Sequence, residues 1–200
     1  MLRLPLLILY IMFISATFLY GECVNGDCIN GRGSMLFENG DYYVGQWKNG
    51  AFHGEGFMIY HNGDRYKGTW REGKKHGRGE FCFGNGDRYN GGWRDGKPDG
   101  KGTMIFANGD RYTGDWQDGS FNGQGTMVYA NGDTYRGNWK NGSYNGKGTM
   151  IFSYGNRYIG EWREGKPNGK GTIYDPAGRI IYSGLWENGE PKKDKNIKRR

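Results

Sequence analysis

The sequence predicts an all-β fold: an elongated, single-layer antiparallel β-meander of tandem hairpin repeats. Three observations lead there. Glycine occurs 39 times in 200 residues and aromatic residues make up 16%, which favours tight turns and pleated strands over helices. All seven tryptophans stand on one ladder, Trp47, Trp70, Trp93, Trp116, Trp139, Trp162 and Trp186, with a step of 23 residues and a last step of 24. A tyrosine precedes each by four residues (Tyr43, Tyr66, Tyr89, Tyr112, Tyr135, Tyr158 and Tyr182), with a glycine midway. The unit reads Y-x-G-x-W, then G-x-G, an apolar stretch and N-G-D. A fixed period of this length marks a repeat array.

The chain divides into four segments. Residues 1–21 are expected to be a signal peptide or signal anchor: one charge, Arg3, followed by an apolar run from Leu4. That pattern directs the following chain across a membrane. Residues 22–42 are expected to form a degenerate amino-terminal capping repeat; Tyr20, just ahead of it, and Val24 hold the Tyr and Trp phases and Gly31 and Gly33 follow. End repeats are atypical because one side must face water. Residues 43–190 carry the seven units. Residues 191–200 form a basic tail expected to be disordered, with Lys192, Lys193, Lys195, Lys198, Arg199 and Arg200 against Asp194.

Within a unit, Y-x-G-x-W alternates with period two, so Tyr89, Gly91 and Trp93 share a strand face. The second strand is expected from Gly100 through Phe106, with Gly100, Gly102, Met104 and Phe106 on one face. Asn108-Gly109 is expected to close a tight turn with both residues at positive φ; Asn39-Gly40, Asn62-Gly63, Asn85-Gly86 and Asn131-Gly132 repeat it. The aromatic rings would lie over glycine backbone on adjacent strands. Polar residues such as Arg65, Arg88, Arg111 and Arg157 precede the tyrosines and face the other way. At about 4.8 Å per strand, each unit adds roughly 10 Å of length.

Charge narrows the function. The formal net charge is +7, but the tail holds +5 of it. The body from Glu22 to Glu190 has 21 cationic and 20 anionic residues, so its net charge gives no case for nucleic-acid binding. Cys23 and Cys28 are candidates for a disulfide in an oxidising compartment, although the loop between them is tight. Cys82 replaces the Ile or Val of other units and reads as an apolar filler. Asn141-Gly142-Ser143 is a glycosylation sequon.

No catalytic constellation emerges. His53, His61 and His76 sit in three different repeat phases, without a coupled nucleophile. Asp64, Asp87, Asp110 and Asp133 recur once per unit, too sparsely for the six to eight oxygens calcium takes; they read as turn formers. No metal, no cofactor and no enzyme activity is expected. The Tyr and Trp ladders, from Tyr43 and Trp47 to Tyr182 and Trp186, are mainly the core, with some ring edges left for stacking on a ligand.

The residues Tyr112-Thr113-Gly114-Asp115-Trp116, Gly119, Gly123-Gln124-Gly125-Thr126 and Gly132 resemble the MORN (membrane occupation and recognition nexus) repeat. The resemblance spans roughly Tyr43 to Trp186. It implies an elongated single-layer antiparallel sheet and a non-catalytic role. In that family the repeats occur in junctophilins, plant phosphatidylinositol phosphate kinases, a histone lysine methyltransferase and protist cytoskeletal scaffolds. The proposed roles there are scaffolding, dimerisation and contact with phospholipids. No attached enzymatic domain is expected within these residues.

The leading expectation is therefore a scaffold in the secretory pathway, secreted or anchored. It would bind a protein partner, or a second copy of itself, through the extended sheet. The alternative is a phospholipid-contacting module, with the tail at an anionic surface. A third is a cell-surface carbohydrate or choline binder using the aromatic ladder.

Overall fold

The computed structural model describes residues 21–192. The apolar segment 1–20 and the tail cations Lys193, Lys195, Lys198, Arg199 and Arg200 lie outside the described residues.

Among the described residues there is no helix, and sixteen strands form one antiparallel sheet in sequence order. The first strands are β1 (Gly21–Gly26), β2 (Arg32–Phe37), β3 (Tyr42–Lys48) and β4 (Ala51–Ile59). The array continues with β5 (Arg65–Arg71), β6 (Lys74–Cys82), β7 (Arg88–Arg94), β8 (Lys97–Ile105), β9 (Arg111–Gln117) and β10 (Ser120–Val128). It ends with β11 (Thr134–Lys140), β12 (Ser143–Ile151), β13 (Arg157–Arg163), β14 (Lys166–Tyr174), β15 (Ile180–Glu187) and β16 (Glu190–Pro191). Every connection is a short hairpin, so each strand pairs only with its chain neighbours.

One face carries the core. Tyr43, Tyr66, Tyr89, Tyr112 and Tyr135 have no exposed surface and Tyr158 only 2%. Each tyrosine ring lies across a cross-strand glycine pair. At Gly114, a Cβ would stand 2.5 Å from Gly125 Cα, 2.5 Å from Tyr112 Oη and 2.6 Å from the Gln124 carbonyl. Two of those three contacts are backbone, so nothing flexible can yield. Glycine is required here for space beneath the ring.

The turns differ from the sequence expectation. The two-residue turns with both residues at positive φ are not at Asn-Gly of N-G-D. They lie at the other end of the hairpins, for example Asn49-Gly50 (51° and 71°), Asp95-Gly96 (48° and 87°) and Asn141-Gly142 (49° and 80°). In N-G-D only the glycine has positive φ, 93° at Gly109. Phe106 N–H donates to the Asp110 carbonyl and Gly109 N–H to the Phe106 carbonyl, both at 2.9 Å. That is a three-residue loop, with a type I turn and a glycine bulge. Asn108 Oδ1 instead accepts from the Asp110 amide at 3.0 Å, a side-chain turn that holds asparagine in ordinary backbone space.

The second strand also begins earlier than expected. β8 starts at Lys97, and Gly100 sits in a bulge with φ of 88°. The same shift recurs in β10, between Phe121 and Gly125. Positive φ, rather than packing, selects the first glycine of each G-x-G.

Candidate binding surface

The sheet has two faces of opposite character, set by period-two alternation. On the closed face, Tyr135 stacks on Tyr144 (ring centroids 3.7 Å apart) and meets Trp139 and Trp162 edge-on at 5.2 and 5.3 Å. The Trp93, Trp116, Trp139 and Trp162 indoles donate to the carbonyls of Gly79, Gly102, Gly125 and Gly148 in the preceding unit. Each tyrosine hydroxyl donates three residues on, as Tyr112 does to the Asp115 carbonyl at 2.8 Å. The amino-terminal hairpin joins this system, because Trp47 donates to the Gly33 carbonyl at 3.1 Å.

The aromatic ladder is thus consumed by the fold. Trp47, Trp70, Trp93, Trp116, Trp139 and Trp162 are 4–6% exposed. A sugar or quaternary ammonium ligand has no free ring face to stack on in those units, which removes the ladder as a ligand platform there. Tyr182 and Trp186 on β15 are only half-buried, because β16 spans just two residues. Burial raises the tyrosine pKa values, to about 12 at Tyr60 and Tyr158 and further at the other ladder tyrosines from Tyr43 to Tyr135.

Three units lack an aromatic ring opposite the ladder tryptophan, with Pro98 and Pro167 in two of them and a lysine in the third. Where Phe52, Phe121 and Tyr144 stack on a ladder tyrosine, the second unit has Lys75. Its Nζ lies 4.3 Å from the Phe81 ring centroid and 4.9 Å from that of Trp93. Burial pulls the Lys75 pKa down to about 8. Nothing in the sequence marked this lysine.

The aspartates of N-G-D do more than form turns. Asp87 Oδ1 accepts from the Ala107 amide and Asp110 Oδ1 from the Ala130 amide, both at 2.8 Å. Each loop is thereby tied to the loop of the next unit. Backbone donation from Ser153 holds the Asp133 carboxyl below its usual range. The signal in the sequence was the recurrence of aspartate at one phase, where a turn alone tolerates several residues.

The open face carries the other residues of every strand. One cross-strand row alternates cationic and apolar side chains: Arg65, Cys82, Arg88, Ile105, Arg111 and Val128 in direct register. It continues through Thr134, Ile151 and Arg157. Ile105, Val128 and Ile151 are 42–47% exposed. Two residues further along the strands runs a row of threonines, with Thr103 facing Thr113 and Thr113 facing Thr126. Beyond it lie Arg78, Lys101, Lys147 and Lys170. Between these rows a groove of about 620 Å³ is lined by Arg78, Lys101, Arg136, Thr103, Thr113, Gln124 and the glycine backbone. A second, of about 460 Å³, lies nearer the amino terminus around Glu55, Phe57 and Lys67.

The remaining candidates are dispersed. Cys23 and Cys28 are joined, with Cα atoms 6.1 Å apart, in the first hairpin. Cys82 is a free thiol, half-buried. Asn141 is an exposed turn residue at positive φ. His61 Nδ1 sits 2.9 Å from Asp41 Oδ1, while His53 and His76 lie on β4 and β6. Among the described residues, no group of three or more His, Cys, Asp or Glu could hold a metal ion.

The family model for the MORN repeat matches residues 43–65, 66–88, 89–111, 112–134, 135–157 and 158–178. A comparison with curated proteins gives no match. Among solved structures, the chain is similar to the TCP domain of SAS-4 (dCPAP) from Drosophila melanogaster, in complex with a proline-rich motif of Ana2 (dSTIL). The identity is 14% and the TM-score 0.51, covering 90% of this chain and 98% of that one. The TCP10 domain of Danio rerio CPAP, in complex with a STIL peptide, aligns at 14% identity with a TM-score of 0.33, over 78% and 84% of the two chains.

Proposed function

The chain belongs to the MORN-repeat family, and from that premise we propose that it is a non-catalytic scaffold holding a protein partner, or a second copy of itself, against its open face. The observation that carries this is the division of the sheet. One face spends its aromatic residues on burying glycine backbone. The other keeps a grooved row of exposed arginine, isoleucine and threonine side chains across many strands. An exposed apolar row bordered by charge is the composition of an interaction surface. The SAS-4 TCP domain, which shares the fold, is itself found with a bound peptide motif.

The Cys23–Cys28 pair supports placing the repeats in an oxidising compartment. Together with the apolar segment ahead of them, it favours the secretory pathway, with the array secreted or anchored on the extracytoplasmic side. A phospholipid surface is the second reading, favoured by the same unpaired arginines. The test is selection of linear peptides from a random library on the full chain, alongside light scattering and vesicle co-sedimentation. Peptides, or a dimer, that are lost on Arg88→Glu/Arg111→Glu support the scaffold. Co-sedimentation alone, with no peptide and no dimer, supports the lipid reading and overturns the first.

A further inference from the structure

We infer that the open-face groove is built for an acidic polyproline-II segment that crosses the strands and carries an acidic residue at every third position. This rests on the open face being the binding surface and adds the chemistry and geometry of its occupant.

Charge comes first. Arg65, Arg88, Arg111 and Arg157 form one rim of the groove, and among the described residues none of them makes an ion pair. Nearby carboxylates are committed elsewhere: Asp87 and Asp110 accept amides of the next loop and side-chain amides of their own. The opposite rim places Arg78, Lys101, Lys147 and Lys170 at one phase, which Glu55 holds in the first unit and Gln124 in the fourth. Only Lys101 is held by a close carboxylate, Asp115 at 2.5 Å. The central groove has Arg78, Lys101 and Arg136 in its lining and no carboxylate. Glu55, Glu80, Asp115 and Glu161 also stand on the open face, with Asp115 facing Lys101 and Glu161 facing Lys147, but none of them lines the central groove.

Spacing decides the conformation. Both rims repeat once per hairpin, and two strands at about 4.8 Å give roughly 9.6 Å. A polyproline-II helix advances about 3.1 Å per residue with three residues per turn, so its every-third side chains recur on one edge at roughly 9.3 Å. Over five units the mismatch accumulates to only about 1.5 Å. A β-strand ligand repeats its face every two residues, at about 6.7 Å. An α-helix needs about 6.4 residues to cover the same step, which is not a whole number of turns. The threonine row offers hydroxyls to the carbonyls of a polyproline-II backbone, which has no internal hydrogen bonds.

The rim has one gap. Thr134 stands at the phase of Arg65, Arg88, Arg111 and Arg157, directly between Val128 and Ile151. Filling it lengthens the cationic row without touching the closed face.

Fluorescence anisotropy on the full chain tests the inference with three labelled 15-residue probes. These are (Pro-Pro-Glu)5, a peptide of the same composition with its glutamates in one block, and (Gly-Gly-Glu)5. The expected result is at least tenfold tighter binding of (Pro-Pro-Glu)5 than of either control. Arg88→Glu/Arg111→Glu should weaken it more than tenfold at an unchanged unfolding midpoint, and Thr134→Arg should tighten it severalfold. Equal affinities for the three probes, or no response to Thr134→Arg, overturn the inference. If library peptides still bind in an Arg88- and Arg111-dependent way, the scaffold reading survives that failure. If nothing is sensitive to those arginines, or only phosphatidylserine vesicles are, both fall.

Discussion

The two faces of this sheet share every strand and every glycine, yet they obey different rules. On the closed face each unit repeats nearly the same contacts: Tyr89 lies over Gly91 and Gly102, and Tyr112 over Gly114 and Gly125. On the open face the phase is kept but the residue varies, as in Arg65, Arg88, Arg111 and then Thr134. The difference teaches where the physical constraint lies. A one-layer sheet has no second layer to bury its apolar surface, so its rings must cover their own backbone. That leaves the opposite face free of folding duties and available for recognition.

The strongest way to break the comparison is to fill the space under a ring. Gly114→Val should cost about 3 kcal/mol or more in urea unfolding, because the new side chain meets Gly125 and the Gln124 carbonyl before anything flexible. Trp116→Ala should cost about 3–5 kcal/mol by removing a buried indole and its hydrogen bond to Gly102. Next in size is Tyr112→Phe, which keeps the ring and loses the hydroxyl donated to Asp115. About 1 kcal/mol is expected.

Lys75 sharpens the comparison from within the closed face. Its folded pKa of about 8 lies below the usual lysine value. Below pH 8 the folded state carries the full cost of a half-buried ammonium. As pH rises from 8 towards the unfolded value the unfolded chain binds more protons, so stability increases. Lys75→Phe, matching Phe52 and Phe121, should therefore stabilise by about 1 kcal/mol at pH 7, a figure reduced for the side chain's remaining contact with water. The gap should close by about pH 10 in paired urea titrations. The tyrosines act in the opposite direction. Their folded pKa values are raised, so their contribution is complete below about pH 10 and is lost as pH rises through 12 and beyond.

The smallest effect on stability belongs to the open face. Arg88→Ala and Thr103→Ala should each change stability by no more than about 0.5 kcal/mol.

Much of this was legible because the period was. Tyr, Gly and Trp at fixed phase gave the hairpins, the shared face and the ring-over-glycine packing. The turns were misassigned for a specific reason. Asn-Gly is the strongest two-residue hairpin signal, but here Asn108 turns its side chain onto Asp110, and residues as unsuited to positive φ as Glu72 and Glu164 occupy the two-residue turns. Local propensity lost to the loop-to-loop ties made by aspartate. One open-face rim was legible as the arginines before the tyrosines, Arg65, Arg88, Arg111 and Arg157, but only cross-strand register aligns them with Ile105, Val128 and Ile151 in one row. Lys75 is invisible to periodic reading because its phase varies, with Phe52, Pro98, Phe121, Tyr144 and Pro167 in the other units.

The central claim is that folding and recognition occupy opposite faces. Its most direct test is the fourfold variant Arg65→Glu/Arg88→Glu/Arg111→Glu/Arg157→Glu, followed by urea unfolding and by binding of a library-selected peptide. The prediction is an unfolding free energy within about 1 kcal/mol of the parent chain and loss of peptide binding. Retained binding in that variant, or unfolding as severe as that of Gly114→Val, would contradict it.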